Sequence, residues 1–358
     1  MYLIYILPLV VSFALSSLIT PFIKRWALVH QIVDQPSKER KIHTRPIPLL
    51  GGVGVVVSFL LTLILVWFLG WLDDGIIQAG QIAGIVLGSI ILMVGGYLDD
   101  KYELSAGKSF LFPVFASLVV VVSGIGVKYI TNPFIAGSGP YGRALFYFEW
   151  VNLEFISFAG LFSFLWILGM IYTTKFLDGL DGLVTGIGSI GAIILFVVSL
   201  FWDVPMSATS ILCLMVVGSL LGFLIYNFHP AKIFLGEGGS VWVGFMLGVL
   251  AIISGGKIAT ALLVMGLPIL DVAWSIARRL LAGKHVYTDD RKHLHYRLLD
   301  SGLSHRKTVL LLYLISLIFG VSSLFLQSSD KVVALCILAG VMVLLAVMSV
   351  VVYKRKSI

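Results

Sequence analysis

Long apolar runs alternate with short polar segments over the whole chain. A helix that crosses a bilayer needs about 20 predominantly apolar residues. Eleven runs approach or reach that length, near 2–22, 49–70, 77–98, 109–127, 157–174, 184–202, 205–226, 240–256, 258–277, 308–326 and 332–353. The eighth is short and rich in glycine. No linker or low-complexity tract sets a soluble part apart from these runs. The pattern predicts an all-α polytopic membrane protein of about eleven transmembrane helices, a single integral membrane domain over residues 1–358.

The polar residues between the runs give a direction. Of the 25 Lys and Arg, all but Lys128, Arg143, Lys257 and Lys331 fall on one side if the first loop is cytoplasmic. Positive charge gathers on the cytoplasmic face, so the N-terminus is expected outside and the C-terminus inside. The one sizeable outer segment, near 128–156, reads as a short hairpin on the outer surface. All seven histidines (30, 43, 229, 285, 293, 295 and 305) fall on the cytoplasmic side. The first charges, Lys24 and Arg25, follow the first run instead of preceding it, which predicts a retained helix and not a cleaved signal.

Composition agrees: 59% of the 358 residues are hydrophobic and 12% charged, with a mean hydropathy of +1.04. Soluble domains carry roughly 25% charged residues. The net charge of +7 is the orientation signal plus an anionic-lipid surface, and nucleic acid is not an expected partner. Cys213 and Cys336 both lie inside apolar runs and read as buried thiols rather than a disulfide.

Against this background five carboxylates stand out: Asp99, Asp100, Asp178, Asp181 and Glu237. Each lies at the end of an apolar run, and the counted topology brings all five to the cytoplasmic face. A charge at the bilayer centre costs about 2.5–3.5 kcal/mol on the insertion scale, so acids at such positions are held by function or by a partner. Adjacent carboxylates such as Asp99-Asp100 coexist with a cation or a shared proton. Such a pair can bring Mg²⁺ to a diphosphate, or one acid can act as base while the other holds metal. A solvated helix end is the plain alternative.

Asp178-Gly179-Leu180-Asp181-Gly182 would put both acids on one face if helical, and its glycines allow close approach of a ligand or a break in the helix. In Gly236-Glu237-Gly238-Gly239, backbone N–H groups could face a phosphate and Glu237 could bind metal. A tight interhelical turn explains the same glycines. The basic loop with His293, His295 and Arg297 offers donors to a diphosphate or a sugar, or simply lies against anionic lipid. Prolines 46 and 48 and the pair Gly51-Gly52 force an irregular path carrying Lys41 and His43. Asp271 sits inside the ninth run, where an acid usually has a partner.

The ordered set Arg40-Lys41-x-His43-x-x-Pro46-x-Pro48-x-x-Gly51-Gly52, Asp99-Asp100, Asp178-Gly179-Leu180-Asp181-Gly182-Leu183, Gly236-Glu237-x-Gly239-Ser240, Pro268-Ile269-Leu270-Asp271 and Asp290-Arg291-Lys292-His293-Leu294-His295 resembles the polyprenyl-phosphate N-acetylhexosamine-1-phosphate transferases. The likeness runs from about residue 30 to 310. Eleven helices, and Asp99-Asp100-Lys101-Tyr102-Glu103-Leu104 followed by Lys108, look like the N-acetylglucosamine-1-phosphate branch more than the ten-helix muramoyl-pentapeptide branch.

The resemblance implies a reaction in which undecaprenyl phosphate attacks a UDP-N-acetylhexosamine, most simply UDP-N-acetylglucosamine. UMP leaves, and a polyprenyl-diphosphate sugar remains as the first membrane step of a cell-envelope glycan. It implies Mg²⁺, with Mn²⁺ as an alternative, and a multi-pass protein of the inner or plasma membrane whose site faces the cytoplasm. A homodimer is compatible with it. Asp99 and Asp100 would activate or position the lipid phosphate, Asp178 and Asp181 would hold the nucleotide, and Glu237 with Asp100 would hold metal. His293, His295 and Arg297 would cover the sugar and diphosphate, with Lys41, His43, Lys108 and Lys175 as further substrate contacts.

Four positions depart from the family pattern. Tyr172 and Lys175 stand where relatives have asparagines, the second of which looks like a metal ligand. Glu237 replaces an aspartate, and Tyr296 replaces a histidine. An ammonium cannot ligate Mg²⁺, so Lys175 and Glu237 are expected to alter the metal shell together, Glu237 reaching a shifted metal and Lys175 neutralising the diphosphate. An intramembrane Mg²⁺-dependent prenyltransferase would share the Asp-rich motifs but not need the His/Arg loop. A secondary transporter would place its site near the midplane between repeated halves, and the chain shows no such repeat.

Overall fold

The computed structural model of the chain describes residues 3–36, 45–73, 75, 77–127, 129–131, 144–147, 158–202, 207–255, 257–281, 283 and 293–356. In chain order, α1 (Leu3–Val29) leads to the short strands β1 (Val33–Asp34) and β2 (Ile47–Pro48), then to α2 (Gly51–Phe68), α3 (Ala79–Tyr102) and α4 (Ala106–Val122). The strands β3 (Tyr129–Thr131) and β4 (Ala144–Tyr147) precede α5 (Phe158–Leu177), α6 (Leu183–Trp202), α7 (Ala208–Asn227) and α8 (Gly236–Ile253). The chain continues through α9 (Ile258–Val264), α10 (Gly266–Leu281), α11 (Leu294–Asp300), α12 (His305–Phe325) and α13 (Ser328–Lys356).

Among the described residues, nine helices are long and apolar enough to cross a membrane: α1, α2, α3, α5, α6, α7, α8, α12 and α13. The fourth predicted run forms α4, apolar but only 17 residues long. The ninth, expected as one helix over 258–277, is instead broken into α9 and α10, which meet at 80°. Pro268 accounts for the break, because its ring would clash with the carbonyl four residues back, at Val264, where α9 ends. Proline is tolerated in the first turn of the new helix. β3 and β4 pair antiparallel, with Tyr129 opposite Tyr147 and Ile130 opposite Phe146, so a hairpin does form within 128–156.

The centre of the bundle is α8, the helix whose run looked weakest in the sequence. It begins at Gly236 rather than at 240, and Trp242, Phe245 and Met246 are fully buried. Its glycines allow this. A Cβ on Gly96 of α3 would lie 2.1 Å from the Gly238 Cα, and one on Gly52 of α2 would lie 2.2 Å from the Gly239 Cα. Small residues at helix contacts let backbones approach closely, as is common between membrane helices. The glycines after Glu237 therefore serve helix contact. They lie in the first turn of α8 and not in a separate turn before it.

Cys213 is buried in α7, whereas Cys336 on α13 is exposed, correcting the expectation of burial. Neither forms a disulfide.

Candidate active site

The motif glycines and helix ends bring the five acids to one end of the bundle. Asp99 and Asp100 occupy the last turn of α3, Glu237 the first turn of α8, and Asp178 and Asp181 the turn between α5 and α6. All five line a cavity of about 680 Å³, together with Lys175, Asn227, His229, Tyr296 and His305 among others. The segment 178–182 is not helical, in contrast to the shared helical face considered above. Gly182 has φ +78°, a conformation that favours glycine, and α6 starts afresh at Leu183.

Each acid is held by named groups. Asp99 accepts hydrogen bonds from the Leu104 N–H (2.9 Å) and the Ser109 hydroxyl (2.6 Å), which tie the end of α3 to the start of α4. Asp100 accepts from the Glu237 N–H at 3.1 Å, so one orphan donor at the α8 N-terminus is used by the neighbouring motif. Glu237 pairs with the Lys175 ammonium at 2.9 Å. That ammonium also lies 3.9 Å from Asp99 and donates to Ser109 Oγ at 3.2 Å. Lys175 stands in the last turn of α5, where the helix dipole favours a cation.

Asp181 turns to the other wall. It contacts His229 Nδ1 at 2.7 Å and accepts the Ala231 N–H at 3.0 Å. The His229 ring stacks on His305 with centroids 4.0 Å apart. Asn227, at the last position of α7, accepts from the Gly182 N–H and the Thr185 hydroxyl and donates to the Ile233 carbonyl. Tyr313 donates to the Gly182 carbonyl. These bonds clamp the Asp178–Gly182 turn against the chain that leads into α8.

The remaining predicted residues divide. His293 is 6% exposed and contacts Asp271 at 2.8 Å, while the Leu294 N–H donates to the other Asp271 oxygen at 3.0 Å. The partner expected for Asp271 is thus His293, and the pair joins α10 to α11. His295 is 2% exposed, and its ring lies alongside those of His293 and Tyr296. A Cβ on Gly179 would stand 2.4 Å from His295 Nε2 and 2.7 Å from the Tyr296 hydroxyl. Neither histidine lines the cavity; Tyr296 does. Arg297, in α11, and Lys108, exposed in the first turn of α4, do not line it either. Lys41 and His43 lie outside the described residues.

Burial sets the charge state of two groups. Asp178 is pushed up to about 8, first by desolvation and then by the nearby charges of Glu237 and Asp181. His295 is pushed down to about 3 by desolvation, against the opposing pull of Asp271. Among the described residues, the one set of three metal-ligating side chains with donor atoms within 4.8 Å of one another is Asp181, His229 and His305. Two imidazoles and a carboxylate suit a transition metal, whereas carboxylate oxygens such as those of Asp100 and Glu237 suit Mg²⁺.

Asn227, His229, His305 and Ser109 did not emerge as site residues from sequence reasoning. A signal existed for two of them: Asn227 and His229 follow an uninterrupted apolar run and precede the Glu237 motif by only a few residues.

Comparison with known proteins gives a consistent result. Residues 82–255 match the profile of glycosyl transferase family 4. The chain is 34% identical over 331 residues to a probable undecaprenyl-phosphate N-acetylglucosaminyl 1-phosphate transferase of Bacillus subtilis, covering 90% of this chain and 86% of the relative. It is 32% identical over 326 residues to a decaprenyl-phosphate N-acetylglucosaminephosphotransferase of Mycolicibacterium smegmatis, covering 84% and 77%. A further relative is an undecaprenyl-phosphate alpha-N-acetylglucosaminyl 1-phosphate transferase of Thermotoga maritima, 28% identical over 333 residues, covering 92% and 93%.

Proposed function

The chain belongs to glycosyl transferase family 4 and is a phosphoglycosyl transferase, and from that premise we propose that it moves N-acetylglucosamine 1-phosphate from UDP-N-acetylglucosamine to undecaprenyl phosphate. An oxygen of the lipid phosphate attacks the sugar-bearing phosphorus. The bond from that phosphorus to the bridging oxygen breaks, UMP leaves with that oxygen, and a polyprenyl-diphosphate sugar remains. Membership in this family sets aside prenyl transfer and transport.

The observation that carries this reading is that Asp99, Asp100, Asp178, Asp181, Glu237 and Lys175, at the ends of apolar helices, line one shared cavity. A lipid phosphate can enter such a site from the bilayer and a nucleotide from water. Asp181, Asn227 and His229 form a polar wall with fixed hydrogen bonds, suited to the nucleotide half. Asp178, kept largely protonated at neutral pH by burial, can donate a hydrogen bond to a phosphate oxygen instead of repelling it. Asp99 and Asp100 stand at the end of α3 for the lipid phosphate. The buried His293 and His295 act behind the wall, holding α11 so that Tyr296 faces the cavity.

Mg²⁺, or Mn²⁺ in its place, would be held by Glu237 and Asp100, whose carboxylate oxygens are the donor type it takes. When bound, it would neutralise charge on the diphosphate and leaving group. With about eleven crossings counted from the apolar runs, the basic residues support a topology with the N-terminus outside and the C-terminus and this cavity on the cytoplasmic side of the inner or plasma membrane.

The test is UMP release by purified protein given undecaprenyl phosphate, Mg²⁺ and a panel of UDP-N-acetylhexosamines, with and without EDTA. Release is expected only with the lipid, best with UDP-N-acetylglucosamine, and lost on chelation. No release from folded protein beside an active relative would overturn the reading.

A further inference from the structure

Lys175 and Glu237 come from different helices, 62 residues apart, yet their charged atoms lie 2.9 Å apart in the cavity wall. The pair borders the cavity, with 23% of the lysine and 37% of the glutamate side chain exposed, while the paired oxygen Glu237 Oε2 is itself buried. The ammonium has two further polar neighbours, Ser109 Oγ at 3.2 Å and Asp99 at 3.9 Å. Asp99 in turn is fixed by Ser109 and Leu104. The lysine thus has somewhere to rest without Glu237, whereas Glu237 Oε2 is engaged by Lys175.

A divalent ion cannot share that oxygen with the ammonium, since like charges at contact distance repel. Mg²⁺ is also seldom held by protein alone; it usually takes one or two carboxylates plus substrate phosphate oxygens. A diphosphate carries more charge than one carboxylate, and a lysine on its flexible four-carbon stem can follow it.

Resting on the transfer reaction proposed above, we infer that Lys175 is a substrate-operated latch on the divalent-cation site. In the ligand-free protein it occupies Glu237 and keeps the cation out. The diphosphate of the sugar nucleotide draws the ammonium off Glu237, and Ser109 and Asp99 still hold it in the cavity wall. The freed Glu237 carboxylate and the diphosphate oxygens then take up the cation together. Nucleotide and cation therefore raise each other's affinity by the same factor. Lys175 acts here as a positioning residue, and its effect is read in cation binding as well as in turnover.

The test is Mn²⁺ binding to the purified full-length protein, followed by loss of the free-ion paramagnetic resonance signal. It is run with and without UDP-N-acetylglucosamine, and the nucleotide's own Mn²⁺ binding is measured without protein. In the wild type, the nucleotide is expected to raise Mn²⁺ affinity at least tenfold. Lys175→Met should bind Mn²⁺ at least tenfold more tightly than wild type without nucleotide, and gain little on adding it. Lys175→Arg should keep the wild-type coupling, and Glu237→Gln should lose the site in both states. Equal wild-type affinity with and without nucleotide would overturn the latch, and that arm needs no variant to fold. So would Lys175→Met binding no tighter than wild type. If UMP is released but no coupling is seen, the latch alone fails; if neither appears, the reading beneath it fails as well.

Discussion

Asp178 shows most directly how burial sets the chemistry of a single group. Its carboxyl is held up to about 8, against a usual 3.8, chiefly because the turn removes it from water. The folded protein keeps the proton that the unfolded chain releases near pH 4. Its contribution to stability is therefore fully present below about pH 4 and is lost as the pH climbs to about 8. Asp178→Asn removes this titration. Thermal melts should show wild-type stability falling relative to Asp178→Asn between pH 6 and 8.5, and parallel curves would refute the assignment. At this scale much was legible in the sequence: acids at the ends of apolar runs are costly, so Asp99, Asp100, Asp178, Asp181 and Glu237 marked the cavity. Lys175 and Glu237 also stood out as a joint departure, although only the fold shows that they pair with each other. What stayed hidden were residues with no cost signature of their own, such as Asn227 and His229, whose importance lies in partners 45 and 48 residues away.

At the scale of elements, the apolar runs located the helices, because a spanning helix is set by length and polarity alone. Their breaks and roles were less visible. Pro268 ends one helix and starts another, a change of direction that a hydropathy count passes over. Gly238 and Gly239 read as a turn or phosphate loop in sequence, yet they let α8 lie backbone to backbone against α3 and α2. This contact holds Asp100 against the Glu237 N–H. A methyl group on Gly96 would meet the Gly238 backbone at 2.1 Å, and no rotamer can relieve it. Gly96→Ala should therefore force α3 and α8 apart, costing about 1–3 kcal/mol of stability, and lower the transfer rate sharply. Gly169→Ala in α5, with nothing within 4 Å of the added carbon, should leave both unchanged. Melting temperature and UMP release on the two variants check this. Equal behaviour would mean that the glycine contact does not set the site.

Seen whole, the protein places its charged chemistry at one end of an apolar bundle, the place where the proposed reaction would bring a lipid phosphate and a nucleotide together. The helices supply rigidity and lipid contact, with large apolar side chains such as Phe22, Phe68, Phe201 and Phe325 exposed along their outer faces. Helix ends and the turn between α5 and α6 supply the five acids Asp99, Asp100, Asp178, Asp181 and Glu237. In the proposed reaction phosphorus moves with the sugar. The most direct measurement uses UDP-N-acetylglucosamine radiolabelled at the β-phosphorus, incubated with undecaprenyl phosphate and the purified protein, followed by extraction of the lipid. Label is expected in the lipid fraction in step with sugar, and is expected to be lost in Asp100→Asn. Label that stays in the aqueous phase while sugar enters the lipid, or no transfer of either from folded protein, would contradict it.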